Sequence, residues 1–149
     1  MINEKSGPRV GVGVVVFKGN RILLGKRKGA HGEGDWSFPG GHPEFGEDVE
    51  DCAKRELAEE TGLKAVSLQP GPWVNDIIED SKHYITLFVF VNEFEGEPQL
   101  LEPNKCEGWV WFECNALPNP LFPPVKSMIK KIGLEKLIFI ALGKEYDAK

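Results

Sequence analysis

Wound at about 100° per residue, Asp48–Gly62 places Val49, Cys52, Ala53 and Leu57 on one arc. An apolar arc of this kind is the stripe by which a helix packs on a core. Glu56 and Glu60 fall inside the same arc, and Glu59 lies at its edge. Residues three and four apart on a helix are neighbours, so the three carboxylates can converge. Like charges held together beside an apolar surface repel one another, and desolvation adds to the cost. Arg55 lies beside them, but one guanidinium cannot neutralise three glutamates plus nearby Glu47. A divalent cation can, and hard cations take oxygen ligands. An exposed helix with solvated charges is the competing reading of these residues alone.

The segment upstream favours the cation. Pro39-Gly40-Gly41 lets backbone approach a ligand closely, because glycine has no Cβ. A glycine carbonyl suits Mg²⁺, which is commonly shared between one or two carboxylates and substrate phosphates. Lys26, Arg27 and Lys28 close a hairpin and offer positive charge to an anion.

With 149 residues the chain is expected to form one domain over 1–149, able to bury a core without disulfides or structural metal. The formal charge of −5 argues against gripping a nucleic-acid polymer over many phosphates. No apolar run reaches the roughly 18 residues of a membrane span, and the N-terminus has no signal-peptide pattern, so a cytoplasmic location is expected. Cys52, Cys106 and Cys114 lack zinc-site spacing and are expected to be reduced thiols, mostly buried.

Val10–Phe17 and Arg21–Lys26 read as a hairpin, and Trp36-Ser37-Phe38 as a short strand stopped by Pro39-Gly40-Gly41. Asp48–Thr61 reads as a helix closed by Gly62. Ala65–Leu68, Trp73–Ile78, His83–Phe94 and Gly108–Phe112 read as separate strands. Val125–Ile132 and Glu135–Leu142 read as helices. A mixed sheet with helices packed on it follows. Gly11-Val12-Gly13 opens no helix and is not a dinucleotide fingerprint, and Ser127-x-x-Lys130 lacks the companion motifs of penicillin-binding enzymes.

Gly41-x5-Glu47-x7-Arg55-Glu56-Leu57-x-Glu59-Glu60-x-Gly62-Leu63 matches every fixed position of G-x5-E-x7-R-E-U-x-E-E-x-G-U. It resembles the box of the Nudix hydrolases. Val10–Lys28, Phe38–His42, Lys105–Trp109 and Leu117-Pro118 are similar to flanking parts of MutT-like members, so the resemblance spans about residues 9–132 and leaves 133–149 unmatched. The subgroup it resembles includes the plant cytosolic and animal MutT-homologue enzymes. The resemblance implies an α/β/α sandwich with a mixed sheet, an α+β fold, and Mg²⁺- or Mn²⁺-dependent hydrolysis of a phosphoanhydride. It implies metal ligation by Gly40, Glu56, Glu59 and Glu60, with Arg55 orienting a box glutamate and Glu47 supporting it. Glu102 falls nearest to a further family glutamate, with Glu107 as competitor. Glu56, Glu60 and Glu102 are all open as the general base. Arg27, Gly41, His42, Phe38 and Phe122 are the expected substrate contacts. Trp36, Trp109 and Trp111 are further aromatic candidates for a nucleobase wall.

The subgroup implies a nucleoside triphosphate substrate, with dGTP or an oxidised purine nucleotide favoured, giving monophosphate and pyrophosphate. NADH, ADP-ribose and isoprenoid diphosphates remain alternatives, as does an inactive nucleotide-binding module. A homodimer is expected from the subgroup and the chain's apolar content.

Overall fold

The computed structural model describes residues 7–29 and 31–147. Seven strands run β1 (Arg9–Lys18), β2 (Arg21–Arg27), β3 (Trp36–Ser37), β4 (Gly40–Gly41), β5 (Lys64–Ile78), β6 (Lys82–Glu95) and β7 (Cys106–Glu113). Among the described residues there are three helices: α1 (Val49–Thr61), α2 (Pro123–Ile132) and α3 (Leu134–Ala141). The sheet is ordered β3-β2-β1-β6-β5, with β4 on β1 and β7 on β2. β1 and β6 are parallel, and the other pairs are antiparallel, which makes the sheet mixed.

Strand periodicity sorts β1 onto two cores. Val12, Val14 and Val16 pack towards α1 with Cys52, Ala53, Leu57 and Leu63. Val15 and Phe17 pack on the other face with Val125 and Met128 of α2 and with Leu137 and Ile140 of α3. The sheet is therefore sandwiched between helices. The segment beyond Ile132 adds α3 to the same core. The apolar arc read from the sequence is the buried face of α1: Cys52, Ala53 and Leu57 are fully buried. Each buried aliphatic of Leu57's size contributes about 2 kcal/mol. α1 ends at Gly62, whose φ of 78° is left-handed and whose N–H returns to Ala58 O.

Two readings change. Ala65–Leu68 and Trp73–Ile78 are one strand, β5, which runs through Pro70 and Pro72 with register shifts against β6. β5 is an edge strand, where the N–H that proline lacks has no ladder to complete. Pro39-Gly40-Gly41 does more than stop a strand. Gly40 and Gly41 pair with Gly13 and Val12 of β1, which fixes them opposite α1.

Candidate functional site

A cleft of about 620 Å³ runs from Glu56 and Glu60 on α1, past Gly40 and Gly41, to Tyr84, Thr86 and Phe88 on β6 and Phe122 at the start of α2. Its acidic end is organised by Arg55. Arg55 Nε and Nη2 donate to the two oxygens of Glu47 at 2.8 and 2.9 Å, a bidentate pair. Nη1 donates to Glu56 Oε1 at 2.8 Å and to Glu59 Oε1 at 3.3 Å, and Nη2 also reaches His42 O at 3.1 Å. Glu47, hydrogen-bonded to Arg55, is held down to about 2. The same carboxylates raise the proton affinity of Arg55 further.

Glu60 is treated differently. It is half-buried, no lysine or arginine forms an ion pair with it among the described residues, and Gly40 N–H donates to its Oε2 at 2.8 Å. Burial first, then the charges of Glu56 and Glu102, push its carboxyl up to about 8, against the Gly40 bond and the charge of Lys105. Burial also raises Glu56, despite the opposing bond from Arg55, and Glu56 and Glu60 are close enough to share a hydrogen bond. Gly41 makes room for this pair: a Cβ there would lie 2.2 Å from Glu56 Oε2. At Gly40 a Cβ would lie 2.2 Å from Val12 O, so neither position admits a side chain without displacement.

The donor set fits a hard divalent cation. Two converging carboxylates face a glycine backbone, and the more buried one lacks a cationic partner. Among the described residues no three acidic, histidine or cysteine side chains are spaced to hold a metal. The reason is visible at Glu59, whose side chain is 51% exposed and turned onto Arg55. Glu102 pairs with Lys105 at 3.6 Å and adds its charge to the surroundings of Glu60. Glu107 is exposed, and neither it nor Glu102 lines the cleft.

Gly41, His42, Arg27, Phe38 and Phe122 all line the cleft. The guanidinium of Arg27 lies 4.1 Å from the Phe122 ring centroid, and its Nε donates to His31 O at 2.9 Å. Burial lowers the proton affinity of Arg27. Of the tryptophans, only Trp109 reaches the cleft, with its indole N–H on Glu60 O at 3.2 Å. Trp36 packs edge-on against Phe112, and Trp111 stacks on Phe94. Sequence reasoning missed Tyr84, Thr86 and Phe88. The period-2 alternation of β6, paired with Arg9, Gly11 and Gly13 of β1, was the available signal.

A family model described as the NUDIX domain matches residues 7–132. The chain belongs to the Nudix family. It is 32% identical to the oxidized purine nucleoside triphosphate hydrolase of Mus musculus over 135 residues, 90% of this chain and 85% of that protein. It is 48% identical to the RNA pyrophosphohydrolase of Caulobacter vibrioides over 111 residues, 70% of this chain and 55% of that protein. Its fold superposes on a MutT Nudix hydrolase from Burkholderia pseudomallei with a TM-score of 0.81 and 32% identity, covering 86% of this chain and 100% of the other. The α/β/α sandwich is thus the Nudix fold, and the chain is a Nudix pyrophosphohydrolase acting on nucleotides. Nudix hydrolases generally use divalent metal ions. No helix among the described residues is long and apolar enough to cross a membrane.

Proposed function

We propose that this Nudix enzyme hydrolyses a nucleoside 5′-triphosphate to monophosphate and pyrophosphate with Mg²⁺ or Mn²⁺, favouring dGTP or an oxidised purine nucleotide. One observation carries the reading. The Glu56–Glu60 pair faces Gly40-Gly41 at one end of a cleft whose other end is aromatic. Phosphates belong at the first end and a base at the second. The mouse relative's named activity supports the purine preference.

Glu56, Glu60 and the Gly40 carbonyl would hold the ion, and Glu59 would join them by exchanging its contact with Arg55. When bound, the ion neutralises phosphate oxygens and acidifies a coordinated water. Arg55 keeps Glu56 against Gly41, and Glu47 fixes Arg55. Glu56, Glu60 or Glu102 would take the proton of the attacking water. Arg27 has no carboxylate ion pair among the described residues, which leaves its charge for a phosphate oxygen. His42, whose Nδ1 lies 3.0 Å from Val10 O, and Phe38 both line the cleft. We further expect a homodimer in the cytosol. Sedimentation showing only monomer at micromolar concentration contradicts the dimer.

The 48% identity to an RNA pyrophosphohydrolase favours a second reading, a 5′-triphosphate at an RNA end. The net charge of −5 weighs against it. Competition among dGTP, 8-oxo-dGTP, dCTP, NADH, ADP-ribose, geranyl diphosphate and a 5′-triphosphorylated oligoribonucleotide separates the readings. The proposal expects the highest kcat/KM on a free purine nucleotide.

A further inference from the structure

The middle of the cleft holds a small polar side chain that makes no hydrogen bond among the described residues. Thr86 is 8% exposed and lines the cleft, and its hydroxyl has no hydrogen-bond partner among the described residues. Several polar atoms nearby are engaged, while the Tyr84 hydroxyl, two residues along β6, and the terminal nitrogens of Arg27 also have no hydrogen-bond partner among the described residues. Ser37 Oγ donates to Phe38 O at 3.3 Å, His42 Nδ1 lies 3.0 Å from Val10 O, and Arg27 Nε is bonded to His31 O. His31 Nε2 is also unpartnered, but it is sealed from solvent, with its ring edge-on to Phe122. The Thr86 oxygen is not among the sealed atoms. The hydroxyl is therefore open to the cleft and free to exchange water for a hydrogen bond to a ligand.

The floor beside Thr86 is open by construction. β1 and β6 are parallel here, with Gly11 opposite Thr86 and Gly13 opposite Phe88. At Gly13 the missing Cβ is filled by Phe88, which would stand 2.7 Å from it. At Gly11 nothing fills the space. The nearest atoms to a Cβ there are Thr86 Oγ1 at 3.8 Å and Gly41 O at 3.9 Å. Along β1 the register runs from Val12, paired with Gly41, through Gly11, opposite Thr86, to Arg9, opposite Tyr84, so Gly11 and Thr86 lie between the Gly41–Glu56 end and the aromatic pair of Tyr84 and His42, stacked at 5.8 Å.

A nucleotide has the same order of parts: phosphates, pentose, base. We propose that Gly11 and Thr86 form the pentose seat of the cleft, with the Thr86 hydroxyl hydrogen-bonded to a hydroxyl of the sugar. This rests on the nucleoside triphosphate reading above. It adds a residue that distinguishes substrates by their sugar, independently of the metal and of the base.

The test compares Thr86→Val, Thr86→Ser and wild type on dGTP and on 2′,3′-dideoxyGTP, with circular dichroism to confirm folding. Thr86→Val should lower kcat/KM for dGTP roughly 3- to 12-fold, mainly through KM, the size of one hydrogen bond. It should change dideoxyGTP turnover little, and Thr86→Ser should restore the dGTP value. Equal losses on both substrates, or no loss on either, overturn the assignment. Gly11→Ala adds a methyl group that meets no protein atom closer than 3.8 Å, so the fold tolerates it. It should raise KM for both substrates, and an unchanged KM would show that the seat is empty during turnover. If wild type turns over neither nucleotide, the triphosphate reading itself fails, a result distinct from turnover that ignores Thr86.

Discussion

Gly40 donates its backbone N–H to Glu60 Oε2 at 2.8 Å, joining β4 to the last turn of α1. The bond holds a carboxyl that burial pushes up to about 8, far above its ordinary 4.5. In the metal-free protein Glu60 is therefore largely protonated at neutral pH, and a cation must displace that proton. Calorimetric titration with Mg²⁺ in two buffers of different ionisation enthalpy should show proton release near pH 7. Affinity should rise as pH increases through 8. A pH-independent affinity between 6.5 and 8.5 contradicts this coupling.

The same shift acts on stability. A group whose pKa rises on folding contributes in full below its unfolded pKa, here about 4.5, and the contribution is lost as pH rises through 8. Glu60→Gln keeps the volume and cannot ionise. At pH 8 without metal, its melting temperature should exceed wild type by a few degrees. At pH 4.5 the two should coincide. Turnover should fall on the order of 10²- to 10³-fold, as for loss of a charge-stabilising group in an active site. Wild-type turnover of Glu60→Gln at low Mg²⁺ would remove Glu60 from the ligand set.

Arg55 tests the opposite direction. Its fork holds Glu47 down to about 2, so this contribution is present above pH 4.5 and is lost as pH falls through 2. Arg55→Lys keeps a charge but not the bidentate geometry. Acid unfolding of the variant should begin at higher pH, and kcat should fall about 10- to 100-fold as Glu56 loses its anchor. An acid transition unchanged in Arg55→Lys would show that the Glu47 pair does not stabilise the fold.

Gly41→Ala isolates the cradle. The added Cβ would stand 2.2 Å from Glu56 Oε2, so the carboxylate must move while the rest of α1 stays packed. Activity should drop at least about tenfold, with a melting temperature within a few degrees of wild type. Retained activity would mean that Glu56 has freedom to move without cost.

The legible parts of this protein are those with a local period or a fixed spacing. Cys52, Ala53 and Leu57 announced the buried face of α1, and Glu56 and Glu60 stood out because they broke it. β5 was read as two strands because Pro70 and Pro72 interrupt it, and only its place at the sheet edge explains their tolerance. β4 is two glycines, too short for any period, and exists through pairing with β1. The cleft wall was harder still. Trp36 and Trp111 suited a base pocket by type, yet they pack on Phe112 and Phe94. Phe122 does face the cleft, but Arg27 lies over its ring and covers one face. The alternation of β6 puts Tyr84, Thr86 and Phe88 on one face, but they reach the cleft because β6 lies beside Arg9, Gly11 and Gly13 of β1, and that pairing is not encoded locally.

The central claim is tested most directly by following dGTP hydrolysis with product-resolved chromatography and ³¹P NMR, with Mg²⁺ and with excess chelator. Formation of dGMP and pyrophosphate in equal amounts, abolished by the chelator, is the predicted result. Release of orthophosphate with dGDP, or no turnover of dGTP, 8-oxo-dGTP or any other nucleoside triphosphate, would contradict it.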